Sequence, residues 1–334
     1  MVWFTSGRGL TAAAVALVLV GGCRPEPKGG PKTTPDSAVT GAAKEMPEGS
    51  VENAGFSQVA AVAGLSGPES VRYDPAQDLY FVSNFNGTLT AKDNNGFISR
   101  VRPDGTIDSL KFVAAGRNGV TLHAPTGMAI SGDTLWVADV QVARAFDRRT
   151  GAPLGSVSFA GLGAHLLNDV AVDPNGTVYI TDTGIRLGAN GAILHPGPDR
   201  IFRIGPGHRP QVAVQADTLD GPNGIAWDSA AGGFIVLSFE GKGIFAWTPG
   251  QKAPAVVATG PGQCDGVEPI GGRRALVTCW ADSSLDLLAG NRLTRVVGNL
   301  PHPADIGVDT RRHRVAVPVS ARNTVEIWAI PEGG

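Results

Sequence analysis

The chain has little of what several chemistries require. It carries three cysteines, six histidines and three tyrosines in 334 residues. It contains no paired-cysteine zinc pattern, no G-x-S-x-G nucleophile turn and no phosphate-binding P-loop. Neither charge dominates, with 28 Lys and Arg against 30 Asp and Glu, so nothing marks a nucleic acid or other polyanion as a partner. Long apolar runs are also missing. The run Leu10 to Val20 is too short and too abruptly ended to span a bilayer. Abundant instead are 46 glycines and 24 prolines, which punctuate short apolar runs and favour an all-β fold over helical packing.

The apolar run follows a lone positive charge, Arg8, and ends in "LVGGC". Small residues before a cysteine resemble a bacterial lipobox, which makes residues 1–22 a lipoprotein signal peptide and Cys23 the lipidated new N-terminus. An ordinary secretory signal with a chance cysteine is the alternative. Residues 23–54 are rich in Pro, Gly, Ser, Thr, Lys and Glu and read as a disordered tether. The globular domain is expected over 55–334. The protein is then exported and lipid-anchored to a bacterial membrane, on its periplasmic side or at the cell surface, and meets the membrane through its anchor only. A monomer is expected. In that compartment Cys264 and Cys279, on either side of a "GGRR" turn, could form a cross-strand disulfide or remain two buried thiols, and the sequence leaves both open.

One phrase recurs: "GPESVRYD", "APTGMAIS", "LLNDVAVD", "GPNGIAWD", "QCDGVEPI" and "HPADIGVD". Its anchor residues, Glu69, Thr126, Asn168, Asn223, Asp265 and Ala304, lie 57, 42, 55, 42 and 39 residues apart. A period near 40 with four short strands per unit predicts a six-bladed β-propeller. The last unit ends one strand short, and an unmatched strand-like run, "FSQVAAVAG" (Phe56 to Gly64), precedes the first. That segment is expected to close the last blade and remove two open edges. The two long spacings place insertions between the second and third strands of units one and three, Asn84 to Gly96 and Asp182 to Arg200, over the face that carries the anchors.

Anchors at one repeat position converge on the propeller axis. Glu69, Asn168, Asn223 and Asp265 form a hard-oxygen set of formal charge −2, suited to Ca²⁺ or another divalent cation. Thr126 and Ala304 would leave the rest of the ring open to water or a ligand. Taken singly, Pro-Asn-Gly and Cys-Asp-Gly are also ordinary turn chemistry.

These residues resemble the senescence marker protein/gluconolactonase family of six-bladed, calcium-dependent propellers, part of a wider group with the paraoxonases. The resemblance covers nearly all of the chain after Phe56. It implies that Glu69, Asn168, Asn223 and Asp265 hold a catalytic divalent ion at the channel mouth. The function it implies is hydrolysis of a small-molecule lactone or ester, with Asp265 as ligand and as nucleophile or base. The chain departs from gluconolactonases at Leu166, where they carry an arginine that grips a sugar acid. His123, His165 and His302 lie two or three residues before an anchor. His123 and His165 are the candidate general bases by resemblance to paraoxonases, with His195 in the second insertion a further candidate. The alternative function is a non-enzymatic, NHL-like propeller that binds a protein or glycan in the cell envelope. A closed, mostly polar pocket over the donors would favour an enzyme, and a broad apolar face would favour a partner.

Overall fold

The computed structural model describes residues 54–187 and 192–332. The expected signal peptide, residues 1–22, and the expected tether, residues 23–54, with Cys23 at its start, lie outside the described residues but for Ala54.

Six four-stranded antiparallel sheets account for nearly all the strands. Blade one is Pro68–Asp74, Leu79–Asn84, Phe97–Val101 and Ile107–Ala114, and blade two is Pro125–Ser131, Thr134–Asp139, Val142–Asp147 and Pro153–Ser158. Blade three runs Leu167–Val172, Val178–Asp182, Arg200–Gly205 and Arg209–Gln215. Blade four is Pro222–Asp228, Gly233–Ser238, Gly243–Trp247 and Ala255–Thr259, and blade five is Cys264–Gly271, Arg274–Cys279, Ser284–Ala289 and Arg292–Val297. The first strand of each blade packs against the first strand of the next, and that of blade six returns to that of blade one. The ring is therefore closed and its axis is lined by six inner strands.

Blade six is composite. Gly307–Asp309, Arg314–Val319 and Thr324–Ala329 are completed by Ser57–Val62, paired antiparallel with Ser57 opposite Ala329 and Val62 opposite Val325. This is the expected closure, and it leaves Phe56 and Val62 buried against the neighbouring blades. Inner strands are buried on both faces, whereas outer ones such as Ala255–Thr259 are mostly exposed. The core is thus the set of interfaces between blades. One of these, between blades three and four, stacks Tyr179, Phe234 and Trp247. The second insertion contains a small hairpin of its own, Arg186–Leu187 with Ile193–Leu194.

Cys264 and Cys279 are disulfide-bonded. They occupy a recurring register position, the last pair before the inner-strand anchor, filled in blades one to three by Pro68 and Asn84, Pro125 and Asp139, and Leu167 and Asp182. There the second-strand carboxylate or amide holds the entry to the inner strand: Ser66 N–H donates to Asn84, and Leu166 N–H donates to Asp182. Blade five makes the same join covalently. The bridge closes a loop of 15 residues, so a Cys264→Ser/Cys279→Ser variant should lose about 3 kcal/mol. A urea midpoint unchanged from wild type would contradict this.

Candidate active site at the channel mouth

In five blades the ladder between the first two strands breaks at the same place: between Pro68 and Val71, Pro125 and Met128, Leu167 and Val170, Pro222 and Ile225, and Cys264 and Val267. Each break sets two residues outside the regular pairing, the anchor and the one after it. A bulge of this kind re-aims a side chain that a flat strand would turn into the sheet. Asn223 therefore opens its strand as a bulge residue, not as part of a turn. The glycines that follow Thr126, Asn223 and Asp265 have a packing cause. A Cβ on Gly127 would sit 2.4 Å from Asp169 Cα, one on Gly224 2.2 Å from the Asp265 carbonyl oxygen, and one on Gly266 2.6 Å from Asp305 Cα.

Hydroxyls on the second strands hold the bulges. The N–H groups of Ser70, Asp169 and Gly266 donate to Ser83 Oγ, Thr181 Oγ1 and Thr278 Oγ1 at 2.8–2.9 Å. Thr181 and Thr278 then donate to the next blade's anchor carbonyls, Asn223 O at 2.6 Å and Ala304 O at 2.9 Å. Asn223 and Ala304 are so tied to the second strand of the preceding blade.

The structure brings Glu69, Asn168, Asn223 and Asp265 to one cavity of about 390 Å³. All four are buried. Asn168 Nδ2 donates to Thr183 Oγ1 at 3.0 Å, which uses its amide hydrogens on the wall. Glu69 Oε2, Asn223 Oδ1 and Asp265 Oδ1 are buried with no hydrogen-bond partner. Buried acceptors are almost always satisfied, and three orphans in one cavity are oxygens that could hold a cation. Among the described residues no three His, Cys, Asp or Glu side chains gather as metal ligands. The set here differs in kind, because two of its four oxygens come from amides. Thr126 and Ala304 are fully buried and do not line the cavity, so that side of the ring is closed by packing and not open to water.

Burial pushes the Glu69 carboxyl well above the usual carboxylate range, with the charges of Asp265, Asp305 and Asp169 adding to it. Burial does the same to Asp265, reinforced by Asp305 and eased by the Trp280 indole and the Asn223 amide. Asp169 comes from the second bulge position of blade three and Asp305 follows the sixth anchor, Ala304, and reading only the anchors missed them. They lie along the channel with Arg72. Its guanidinium contacts Glu268, bonds Asp305 at 3.0 Å and sits 3.8 Å from Asp169, while Ser70 Oγ donates to Asp305 at 2.5 Å. Arg72 and Glu268 also line a separate cavity of about 400 Å³, built from the other ends of the inner strands.

Both insertions reach the anchor cavity, the first through Leu89 and the second through Ile185. The walls are apolar where a polar lining was the enzyme expectation. Leu166 lies among them, and the aromatic part is Phe85, Phe239 and Trp280.

The candidate bases His123 and His165 do not line this cavity. His123 Nδ1 accepts from Asn94 N–H of the first insertion at 3.0 Å. His165 is turned to the second insertion, where a Cβ on Gly197 would meet its Nε2 at 2.9 Å. The loop paths divert both rings. His302 does line the cavity, stacked on Trp280 with ring centroids 4.3 Å apart. His195 does not line the cavity and sits between Asp199 at 2.7 Å and Glu240 at 2.5 Å. Burial opposes its protonation, but the two carboxylates prevail and hold its pKa above the ordinary value.

Residues 67–240, just over half of the chain, match the family model described as SMP-30/Gluconolactonase/LRE-like region. Glu69, Asn168 and Asn223 fall inside the match and Asp265 beyond it. No curated protein matches the chain by sequence. Among solved structures, it is similar to a gluconolactonase from Xanthomonas campestris, at 16% identity over 83% of this chain and 89% of that one, TM-score 0.59. A luciferin-regenerating enzyme is similar at 12% identity over 82% and 94%, TM-score 0.61. A virginiamycin B lyase from Staphylococcus aureus is similar at 13% identity over 83% and 100%, TM-score 0.57. At these identities the likeness shows the fold alone.

Proposed function

The chain belongs to the SMP-30/gluconolactonase/LRE-like family, and from that premise we propose that it is a divalent-cation-dependent hydrolase of a lactone or ester. The observation that carries this reading is the set of three orphaned oxygens, on Glu69, Asn223 and Asp265, with Asn168 beside them at one cavity. Two carboxylates and two amides are hard donors of charge −2, which fits Ca²⁺. When bound, such an ion supplies Lewis-acid polarisation of a carbonyl and stabilisation of negative charge.

The chain's own residues do the rest. Thr183 orients the Asn168 amide. Asp265 presents a carboxylate oxygen with no hydrogen-bond partner, able to take a proton from attacking water or to attack directly. The apolar walls and the burial of the four donors lower the local polarity and so strengthen electrostatic interactions at the floor. Because the donors sit at a cavity and not on a broad face, a partner-binding propeller is the weaker reading. Lipidation at Cys23 would place this cavity in the cell envelope.

Chelator-treated protein should melt several degrees lower than protein given excess Ca²⁺, since a ligand of the folded state alone stabilises it. It should also lose activity across a panel of lactones and esters and regain it with the ion. If Ca²⁺, Mg²⁺, Mn²⁺ and Zn²⁺ all leave the melting temperature and the activity unchanged, the metal reading fails.

A further inference from the structure

We infer that the substrate is a neutral, apolar lactone or ester, with an alkyl or aryl body, and not a sugar lactone or a sugar acid. The inference rests on the hydrolase reading above and assigns its substrate class from the cavity walls.

The argument begins with charge. Among the described residues, the ionisable side chains that line the cavity are Glu69, Asp265 and His302, and no lysine or arginine lines it. The two acids at the floor already balance the charge of a divalent ion, so a carboxylate on the substrate finds no surplus positive charge there and no cation on the described walls, and an unpaired charge is expensive to bury. At the wall position before the third-blade asparagine the side chain is Leu166, which is buried and can hold neither a carboxylate nor a polyol.

Hydrogen-bonding capacity comes next. Two of the lining hydroxyls are already committed. Thr183 Oγ1 donates to Pro222 O at 3.0 Å while accepting from Asn168, and Ser320 Oγ donates to Pro68 O at 2.5 Å. Those of Thr88 and Thr90 remain on the walls, beside the Trp280 indole N–H, which has no partner, and the His302 ring. A polyhydroxylated ring needs a partner for every hydroxyl, few polar groups stand among the apolar side chains here, and each hydroxyl buried without a partner opposes binding.

The apolar surface supplies the positive side. Phe239 packs edge-on against Trp280, with ring centroids 5.2 Å apart, and His302 stacks on the same indole. Leu89 and Ile185 approach from the two insertions. The cavity, about 390 Å³, lies within the range of pockets that enclose a small organic ligand. An alkyl or aryl group there gains from leaving water at every carbon.

Two assays with the Ca²⁺-loaded full-length protein test this. The first measures kcat/KM for γ- and δ-lactones carrying alkyl chains of increasing length, beside glucono-δ-lactone. The second measures melting-temperature shifts with the matching alkyl lactams, which resist hydrolysis, beside gluconate. kcat/KM is expected to rise about fourfold per methylene until the cavity is filled. Glucono-δ-lactone should fall at least about a hundredfold below the best alkyl lactone, and the lactams but not gluconate should raise the melting temperature with chain length. Ile185→Ser and Leu89→Ser, on the insertions and outside the blades, should flatten the chain-length trend and leave the Ca²⁺-induced rise in melting temperature intact.

Hydrolysis with no chain-length trend, or with glucono-δ-lactone as good as the best alkyl lactone, overturns the inference and leaves the hydrolase reading standing. Lactam binding that tracks chain length without any hydrolysis supports the inference about the ligand and removes the hydrolase. Neither hydrolysis nor binding overturns both.

Discussion

Asp265→Asn is expected to lower kcat/KM by roughly 10²–10³-fold, the scale on which loss of a charge-stabilising group at a reacting centre is felt. It should also remove most of the Ca²⁺-induced rise in melting temperature. The same substitution should make the metal-free protein more stable, because it relieves a buried carboxylate that has no hydrogen-bond partner on Oδ1 and that raises the Glu69 pKa by its charge. Without the ion, Glu69 and Asp265 both have folded pKa values above their unfolded ones. The folded state then binds more protons than the unfolded chain once pH passes the ordinary carboxylate range, about 4, so metal-free stability falls as pH rises from there. Bound cation should make that slope shallower, and so should Asp265→Asn, while the other buried carboxyls with raised pKa values, Asp169 and Asp305 among them, keep part of it. Urea midpoints across pH, with and without Ca²⁺, read all three effects. A variant with wild-type Ca²⁺ response would remove Asp265 from the site.

Removing residues 55–64 should leave the propeller unfolded or aggregated. The deletion takes away Phe56 and Val62, both buried, for about 3–5 and 1.5–3 kcal/mol. It also strips one of the two partners from Thr324–Ala329 and exposes that side of the strand's backbone as an open edge. The sum rivals the whole stability of an ordinary domain. The two faces of the strand give an internal control. Val59→Asp, at a position 43% exposed, should be tolerated, while Val62→Asp, at 2%, should not. Soluble yield and size-exclusion profile distinguish them. A monomeric, cooperatively melting deletion variant would mean that blade six is stable with three strands.

Much of this architecture could be read from one recurring phrase. Six anchors with spacings near 40 imply six equivalent sheets, and the two longer spacings locate both insertions between the second and third strands, where they occur. The missing last strand and the unmatched "FSQVAAVAG" imply the closure that Ser57–Val62 makes. Rotational symmetry then does what no single motif can. Residues at one repeat position must approach one axis, so Glu69, Asn168, Asn223 and Asp265 could be grouped across nearly 200 residues of chain.

The disulfide was half legible. Its cysteines fall two residues short of the register that a tight hairpin at Gly271 and Arg274 sets, and two bulges absorb the difference. Bulges have no signature in the composition of the strand that carries them. They made the asparagines and glycines look like turn residues, and the bulge in blade three hid Asp169, which shares the channel because a bulge frees two side chains and not one.

The sequence by itself determined the repeat, the ring, its closure and the four oxygens, because each follows from periodicity along the chain. Only the tertiary structure decided which histidine reaches the cavity, which carboxylates share the channel with Arg72, and that the walls are apolar. Those outcomes depend on where the loops run and on which side chains of neighbouring blades meet, and contacts between residues far apart in sequence leave no period to read.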